Sequence, residues 1–310
     1  MTHRIVFMGT PGFAVPSLET LAAGHTVALV VTQPDRPKGR GRRIEPPPVK
    51  ASAERLGLPV VQPASLRDES VLQRLTAAEA DFFVVVAYGH ILRENVLQMP
   101  RTACINVHAS LLPAYRGPAP IQWAVINGER ETGVTTMIMD KGLDTGDILL
   151  TDREPISGED TAGLLHDRLA RRGAELLGRT LAAFADGTIR RTPQDHTRAT
   201  YAPLLKKTDG LIDWKRPAAA LEPFVRGMAP WPGAYTFWND VRLKIFRTEI
   251  APGHGAAAPG TVLAGPPGTL VVAAGDGALS IRDVQGASGH RLPVTEFLRG
   301  CRIPTGAVLG

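Results

Sequence analysis

Four short apolar runs constrain this chain more than any other feature: Ile5-Val6-Phe7-Met8, Val27-Ala28-Leu29-Val30-Val31, Phe82-Phe83-Val84-Val85-Val86 and Ala103-Cys104-Ile105-Asn106-Val107. Each is apolar at successive positions rather than at alternate ones, with Asn106 the one polar residue among them. A strand wetted on one face alternates; a strand covered on both faces does not, and that is the pattern of parallel strands between two layers of helix. Between the first two runs, Pro16 and Ser17 can start a helix carrying Leu18 and Leu21, and Gly24 can end it. The expectation is an α/β domain built on a doubly wound, mostly parallel, Rossmann-like sheet. From Asp160 to Ala185 the spacing of Leu164, Leu165, Leu169, Leu176, Leu177, Leu181 and Phe184 suits one long helix, or two broken at Gly173, closing that domain.

After Lys207 the texture changes. Residues 209–310 hold 15 Gly and 10 Pro, against 33 such residues in the 208 before them, with short β-rich runs such as Val241-Arg242-Leu243-Lys244-Ile245-Phe246. Many short strands and Gly-rich turns predict a small barrel or sandwich. The expected division is a domain over 1–189, a linker over 190–208 and a β-domain over 209–310. No apolar stretch approaches the ~20 residues needed to span a bilayer, and the start runs straight into a strand pattern with no signal-peptide anatomy. A cytoplasmic protein is expected. Its two cysteines, Cys104 and Cys301, have no metal-like spacing, which argues against a disulfide framework or a zinc site.

The net charge of +5 is unevenly placed. Residues 34–50 carry Arg36, Lys38, Arg40, Arg42, Arg43 and Lys50 against Asp35 and Glu45; residues 190–207 carry Arg190, Arg191, Arg198, Lys206 and Lys207 against Asp195. Each stretch is +4, which leaves −3 for the rest of the chain. Charge so concentrated fits either a solvated surface or a polyanionic partner. The prolines and glycines of 34–50 argue against a regular helix there and predict a mobile loop.

Gly9-Thr10-Pro11-Gly12 follows the first strand, where a dinucleotide-binding loop would sit, but it is not GxGxxG and Pro11 removes a donor, so a tight turn is expected and no NAD site. Asn106 and His108 alternate onto one side of a strand at its C-terminal end, which in open α/β sheets faces the ligand crevice. No HxH, HExxH or Cys/His cluster accompanies His108, so no metal is expected. In Asp140-Lys141-Gly142-Leu143-Asp144-Thr145-Gly146-Asp147 the third and sixth positions are wrong for an EF-hand. A polar turn would explain it; Asp144 set beside His108 is the sharper reading, since a carboxylate there fixes the tautomer and favours the charged ring.

Asn106-Val107-His108, Ser110-Leu111-Leu112-Pro113 with Tyr115-Arg116-Gly117, and Asp140 to Asp147 resemble the signatures of the folate-dependent formyltransferases. Gly9-Thr10-Pro11, the motif from Thr32 to Gly41 and Pro230-Trp231-Pro232-Gly233-Ala234 are similar to the branch of that family acting on methionyl-tRNA. Ala109 departs from the pattern, which has Gly there. The resemblance implies transfer of a formyl group from 10-formyltetrahydrofolate to methionine on initiator methionyl-tRNA, by a monomer, in translation initiation. It implies Asn106, His108 and Asp144 as catalytic residues. It places Ser110, Leu111, Leu112, Pro113, Tyr88 and Gly89 at the folate, and Arg36, Lys38, Arg40, Arg42, Arg43, Lys206 and Lys207 at the tRNA. The C-terminal domain becomes an OB-like β-barrel.

In such a transfer Asn106 and a protonated His108 would stabilise an oxyanion, and His108 could equally serve as base. An amino sugar nucleotide is the alternative acceptor, although Arg36 to Arg43 would then have no expected role. A non-catalytic RNA-binding protein would explain the charge and leave Asn106 and His108 idle.

Overall fold

The apolar runs are strands. In chain order β1 (Arg4–Gly9), α1 (Val15–Gly24) and β2 (Thr26–Val31) are followed by a hairpin of β3 (Arg36–Lys38) and β4 (Arg43–Glu45). Next come α2 (Pro48–Arg55), β5 (Val60–Val61), α3 (Glu69–Ala77), β6 (Phe82–Val86), α4 (Glu94–Leu97), β7 (Ala103–His108) and α5 (Pro120–Ile126), then β8 (Glu131–Ile138), β9 (Ile148–Pro155) and α6 (Ala162–Ala185). The computed structural model describes residues 2–38, 43–252, 257–287 and 289–310. It separates into two units, Met1–Pro120 with Thr132–Pro155 and His166–Pro203, and Ile121–Glu131 with Ile156–Leu165 and Leu204–Gly310.

Seven strands in the order β5-β2-β1-β6-β7-β8-β9 make the first sheet. The pairs β2/β5, β1/β2, β1/β6 and β6/β7 are parallel and β7/β8 is antiparallel. Every residue of β6 is buried, as a strand covered on both faces requires. On one face Val6, Met8, Val31, Phe83, Val85 and Cys104 pack with Val71 and Leu75 of α3. Their alternates Ile5, Phe7, Phe82, Val84 and Ile105 are equally buried. Each such side chain contributes about 1.5–3 kcal/mol by leaving water. Because β2 lies on one side of β1 and β6 on the other, the winding reverses at β1, and the crevice at such a reversal opens at the carboxyl ends of the strands.

The helix α6 is one unbroken element. Gly173 does not break it; a Cβ there would lie 3.0 Å from Val107 Cγ1, so glycine lets the helix approach the strand bearing Asn106 and His108. Leu169, Leu176, Leu177 and Leu181 are fully buried, whereas Leu164 is exposed.

The basic stretch 34–50 is more ordered than its prolines suggest. Arg36 pairs with Glu45, Pro37 with Ile44 and Lys38 with Arg43 in an antiparallel hairpin, and α2 already begins at Pro48. Proline is tolerated on both counts, at an edge strand and in the first helical turn, since neither place needs its N–H. Arg40 and Arg42 lie outside the described residues. The stretch expected as a linker is divided: 190–203 belong to the first unit and 204–208 to the second. The reason is local hydrogen bonding, for Thr192 exchanges both main-chain bonds with Ile148, at 2.8 and 2.9 Å.

The second unit carries α7 (Ala218–Met228), β10 (Ala234–Trp238), β11 (Val241–Ala251), β12 (Val262–Leu263), β13 (Leu270–Ala273), β14 (Ala278–Gln285), β15 (Arg291–Pro293) and α8 (Val294–Gly300). The strands form one antiparallel sheet, β10-β11-β14-β13-β12, with β15 against β14. This is the architecture expected of the C-terminal β-domain. Register breaks around Arg247 bend β11, which is how a long strand curls a sheet toward a barrel. Leu243, Ile245, Leu279, Ile281 and Val284 fill its core, and Trp214 Nε1 donates to Thr236 Oγ1 at 3.0 Å inside it. Among the described residues no helix is long and apolar enough to cross a membrane.

Candidate active site

Strand β7 delivers Asn106 and His108 to the carboxyl-end rim of the first sheet, opposite Met137 and Thr135 of β8. The turn that follows β8 brings Asp144 to them. Asp140 Oδ1 accepts from Gly142 N at 2.9 Å and from Thr145 Oγ1 at 2.6 Å, closing the turn. A Cβ on Gly146 would collide with the Ile138 carbonyl, so this turn needs its glycine. Asp144 itself sits in the left-handed region, with φ +53°, a conformation Asp tolerates better than most residues.

Asp144 Oδ1 accepts from Asn106 Nδ2 at 3.4 Å and Oδ2 accepts from Gly117 N at 2.8 Å. His108 Nδ1 stands 3.7 Å from Oδ2. The three residues named from the sequence are therefore brought together. His108 Nε2 lies 2.9 Å from the Tyr115 carbonyl oxygen. A carbonyl can only accept, so Nε2 carries a proton in either charge state of the ring, and the neutral tautomer has Nδ1 bare. The ring is 6% exposed. Of its two nitrogens, Nδ1 is the one not engaged by a main-chain carbonyl, and it faces a carboxylate.

The segment after β7 is held by groups that sequence reasoning missed. Thr135 is fully buried; its hydroxyl donates to the Ser110 carbonyl at 2.7 Å and accepts from Leu112 N at 3.2 Å. The Ser110 hydroxyl donates to the Ala114 carbonyl at 2.6 Å, so it is engaged in the turn rather than offered to a substrate. Ser110 and Leu112 are buried, while Leu111 and Pro113 are half-buried. A threonine on a neighbouring strand carries no sequence signal of such a role; only the pairing of β7 with β8 reveals it.

Tyr88 and Gly89 follow β6. The Tyr88 carbonyl accepts from Thr10 Oγ1 at 3.0 Å and Gln33 Nε2 at 3.1 Å. The Tyr88 hydroxyl is buried with no partner among the described residues, and burial makes it a weaker acid, its pKa pushed up to about 12. Gln33 also accepts from Arg36 Nη2 at 2.6 Å, so the root of the basic hairpin is tied to the Tyr88 main chain. Next to it, Ser65, Leu66, Arg67, His90, Ile91 and Arg93 line a cavity of about 470 Å³. Lys50 is paired with Asp35 at 2.7 Å. Lys206 and Lys207 are exposed at a 3₁₀ turn over Lys207–Gly210. Of Lys38 and Arg43 only the backbone register is described. Burial pushes the Cys104 thiol up to about 12, and among the described residues no group of three or more His, Cys, Asp or Glu side chains could hold a metal ion.

Comparison with known proteins agrees along the whole chain. The methionyl-tRNA formyltransferase of Citrifermentans bemidjiense is 51% identical over 308 residues, covering 99% of this chain and 96% of that protein. That of Desulforamulus reducens is 51% identical over 310 residues, covering 99% and 98%. Among solved structures, an N-formyltransferase from Helicobacter canadensis, in complex with folinic acid and dTDP-3-aminofucose, superposes with TM-score 0.65 at 18% identity, covering 92% of this chain and 100% of that one. HypX from Aquifex aeolicus in complex with tetrahydrofolic acid gives TM-score 0.64 at 17% identity over 96% of this chain, which spans 47% of HypX. At such identities these two likenesses concern the fold. Residues 3–181 match the formyl transferase family and residues 204–302 match its C-terminal domain, and the chain belongs to that family.

Proposed function

We propose that this protein transfers the formyl group of 10-formyltetrahydrofolate to the α-amino group of methionine carried by initiator tRNA, acting in the cytoplasm as a monomer. The observation that carries the reading is the convergence of Asn106, His108 and Asp144 at the end of β7, on a chain half identical throughout to proteins named for this reaction.

The neutral amine attacks the formyl carbon, a C–N bond forms, and the carbonyl oxygen becomes an oxyanion. Asn106 still has one amide hydrogen after its bond to Asp144, and a protonated Nδ1 of His108 supplies a charged donor; each donor of this kind is worth about 3 kcal/mol in the transition state. The excess proton of the attacking nitrogen then passes by way of Nδ1, or of water held by Asp144, to N10 of the folate. The bond between N10 and the formyl carbon breaks and tetrahydrofolate leaves. Whether His108 acts first as base or as electrophile, the Tyr115 carbonyl confines its exchange to Nδ1. No covalent enzyme intermediate is required, in keeping with a Cys104 thiol raised by burial and a Ser110 hydroxyl engaged in its own turn.

Ser110, Leu111, Leu112 and Pro113 and the main chain of Tyr88 and Gly89 shape the folate site. The anionic glutamate tail of the folate suits the cavity bearing Arg67, His90 and Arg93. Arg36, Lys38 and Arg43 of the hairpin, together with Arg40, Arg42, Lys206 and Lys207, contact tRNA phosphates, so binding is strongly salt-dependent. In this reading residues 1–189 house the chemistry and 209–310 extend the tRNA contact. The test is formylation by the purified protein with 10-formyltetrahydrofolate, comparing initiator and elongator methionyl-tRNA with a dTDP-amino sugar. Formyl-methionyl initiator tRNA is the expected product; turnover of the sugar nucleotide alone, or of no acceptor, overturns the reading.

A further inference from the structure

His108 is flanked on each ring nitrogen by a group on a separate loop, and both loops are tied to residues 192–202. On the Nε2 side, Tyr115 N donates to Thr200 Oγ1 at 2.8 Å, Arg116 N to the Thr200 carbonyl at 2.9 Å, and Ala202 N to the Arg116 carbonyl at 2.7 Å. These bonds hold the Tyr115 carbonyl that receives Nε2–H. On the Nδ1 side, Gln194 Nε2 donates to the Asp144 carbonyl at 2.9 Å and to the Gly146 carbonyl at 2.7 Å. Gln194 Oε1 accepts from Arg116 Nε at 3.1 Å and Nη2 at 2.6 Å. Both amide hydrogens and the amide oxygen are thus engaged, and the orientation of the amide is forced, because two carbonyls demand the nitrogen and a guanidinium demands the oxygen. The side chain is 6% exposed. It reaches no reacting atom; it grips the main chain of the left-handed residue whose carboxylate faces Nδ1.

We propose that Gln194 is a positioning residue for the His108–Asp144 pair. It holds Asp144 at its distance from Nδ1 by bracing the turn from the main-chain side, and through Arg116 it joins that brace to the loop that holds Nε2. The kinetic consequence rests on the formyl-transfer reading above, since a displaced Asp144 impairs the proton transfer and leaves substrate binding intact. Glutamate is the discriminating replacement. Gln194→Glu keeps the volume and the Arg116 partner but sets an acceptor against two carbonyls, whereas a role limited to filling space and partnering Arg116 is satisfied by Glu.

The experiment uses the full chain with Gln194→Glu and Gln194→Met, each alone and combined with Asp144→Asn. Thermal unfolding identifies the variants that remain folded. Expected are a fall in kcat of about 100-fold in both, the scale of a misplaced reacting group, KM for folate and for methionyl-tRNA within about threefold, and no further loss when either is added to Asp144→Asn. Independently of activity, the Nδ1 nitrogen resonance of His108 moves in both variants in the direction it moves in Asp144→Asn. A wild-type kcat in Gln194→Glu, or losses that add to those of Asp144→Asn, overturn the proposal. If the wild-type protein formylates no methionyl-tRNA, the formyl-transfer reading fails by itself, and an unmoved Nδ1 resonance then decides against Gln194.

Discussion

Replacing Thr135 by valine tests whether the polar brace behind the site, rather than apolar packing, sets the stability of the segment after β7. Valine has the shape of threonine, so Thr135→Val opens no cavity in this fully buried position. What it removes is the hydroxyl that donates to the Ser110 carbonyl at 2.7 Å and accepts from Leu112 N at 3.2 Å. Losing the partner of a buried polar group costs about 1–3 kcal/mol, so two such losses amount to about 2–6 kcal/mol. Thr135→Ser keeps both bonds and sheds one methyl group, which costs about 1 kcal/mol in transfer free energy plus a small cavity. Apolar packing alone ranks valine above serine; the hydrogen bonds rank serine above valine. The assay is local, because a chain of two units need not unfold in one step. Hydrogen exchange at the Leu112 amide reads the opening free energy of this turn, and urea-induced loss of activity reads its consequence. Equal or slower exchange at Leu112 in Thr135→Val relative to Thr135→Ser refutes the reasoning.

His108→Ala is expected to lower kcat by at least the 10²–10⁴-fold typical of a lost proton-transfer group, with tRNA affinity in a filter-binding assay roughly kept; equal turnover removes His108 from the chemistry. Arg40→Ala is expected to weaken use of tRNA, to reduce by about 1 the slope of log affinity against log salt, and to leave folate binding intact. Wild-type tRNA kinetics in that variant would remove the role. His25 gives a pH dependence. Burial first, then His3, holds its imidazole below the ordinary 6.5, so the unfolded chain binds the proton more readily. The stabilising term is present in full above about 6.5 and declines as pH falls toward the lowered folded value. His25→Gln should flatten the unfolding midpoint between pH 7.5 and 5.5, and an unchanged slope would show the titration lies elsewhere.

The strands of the first sheet were legible because burial on both faces leaves little choice of residue, and β6, buried throughout, is the extreme case. The hairpin of β3 and β4 was not. With three residues a side, a proline in one and an exposed Ile44 in the other, it has neither a period of two nor an apolar face. Gly173 left one helix or two open for a related reason: its low helix propensity counts only if nothing gains from the missing Cβ, and here the approach of α6 to Val107 does.

The site divides along the same physical line. Asn106 and His108 could be paired from the sequence, because alternation in a strand fixes which side chains share a face. Asp144 lies in another segment, and no local rule measures its distance to the ring; the residues left a polar turn open beside the pairing with His108, the resemblance favoured the pairing, and the turn held by Asp140 explains it. The proton location on His108 could not be read from the sequence, because it depends on a main-chain carbonyl. Any residue at position 115 offers that oxygen, and what aims it is the left-handed backbone of Tyr115, φ +59°, held through Thr200. Side chains that act on a substrate leave a mark in the residue types of a motif. Main-chain groups that set a tautomer leave theirs in the partners that hold the backbone, so Thr135, Gln194 and Thr200 belong to the site even though no chemistry marks them as its members.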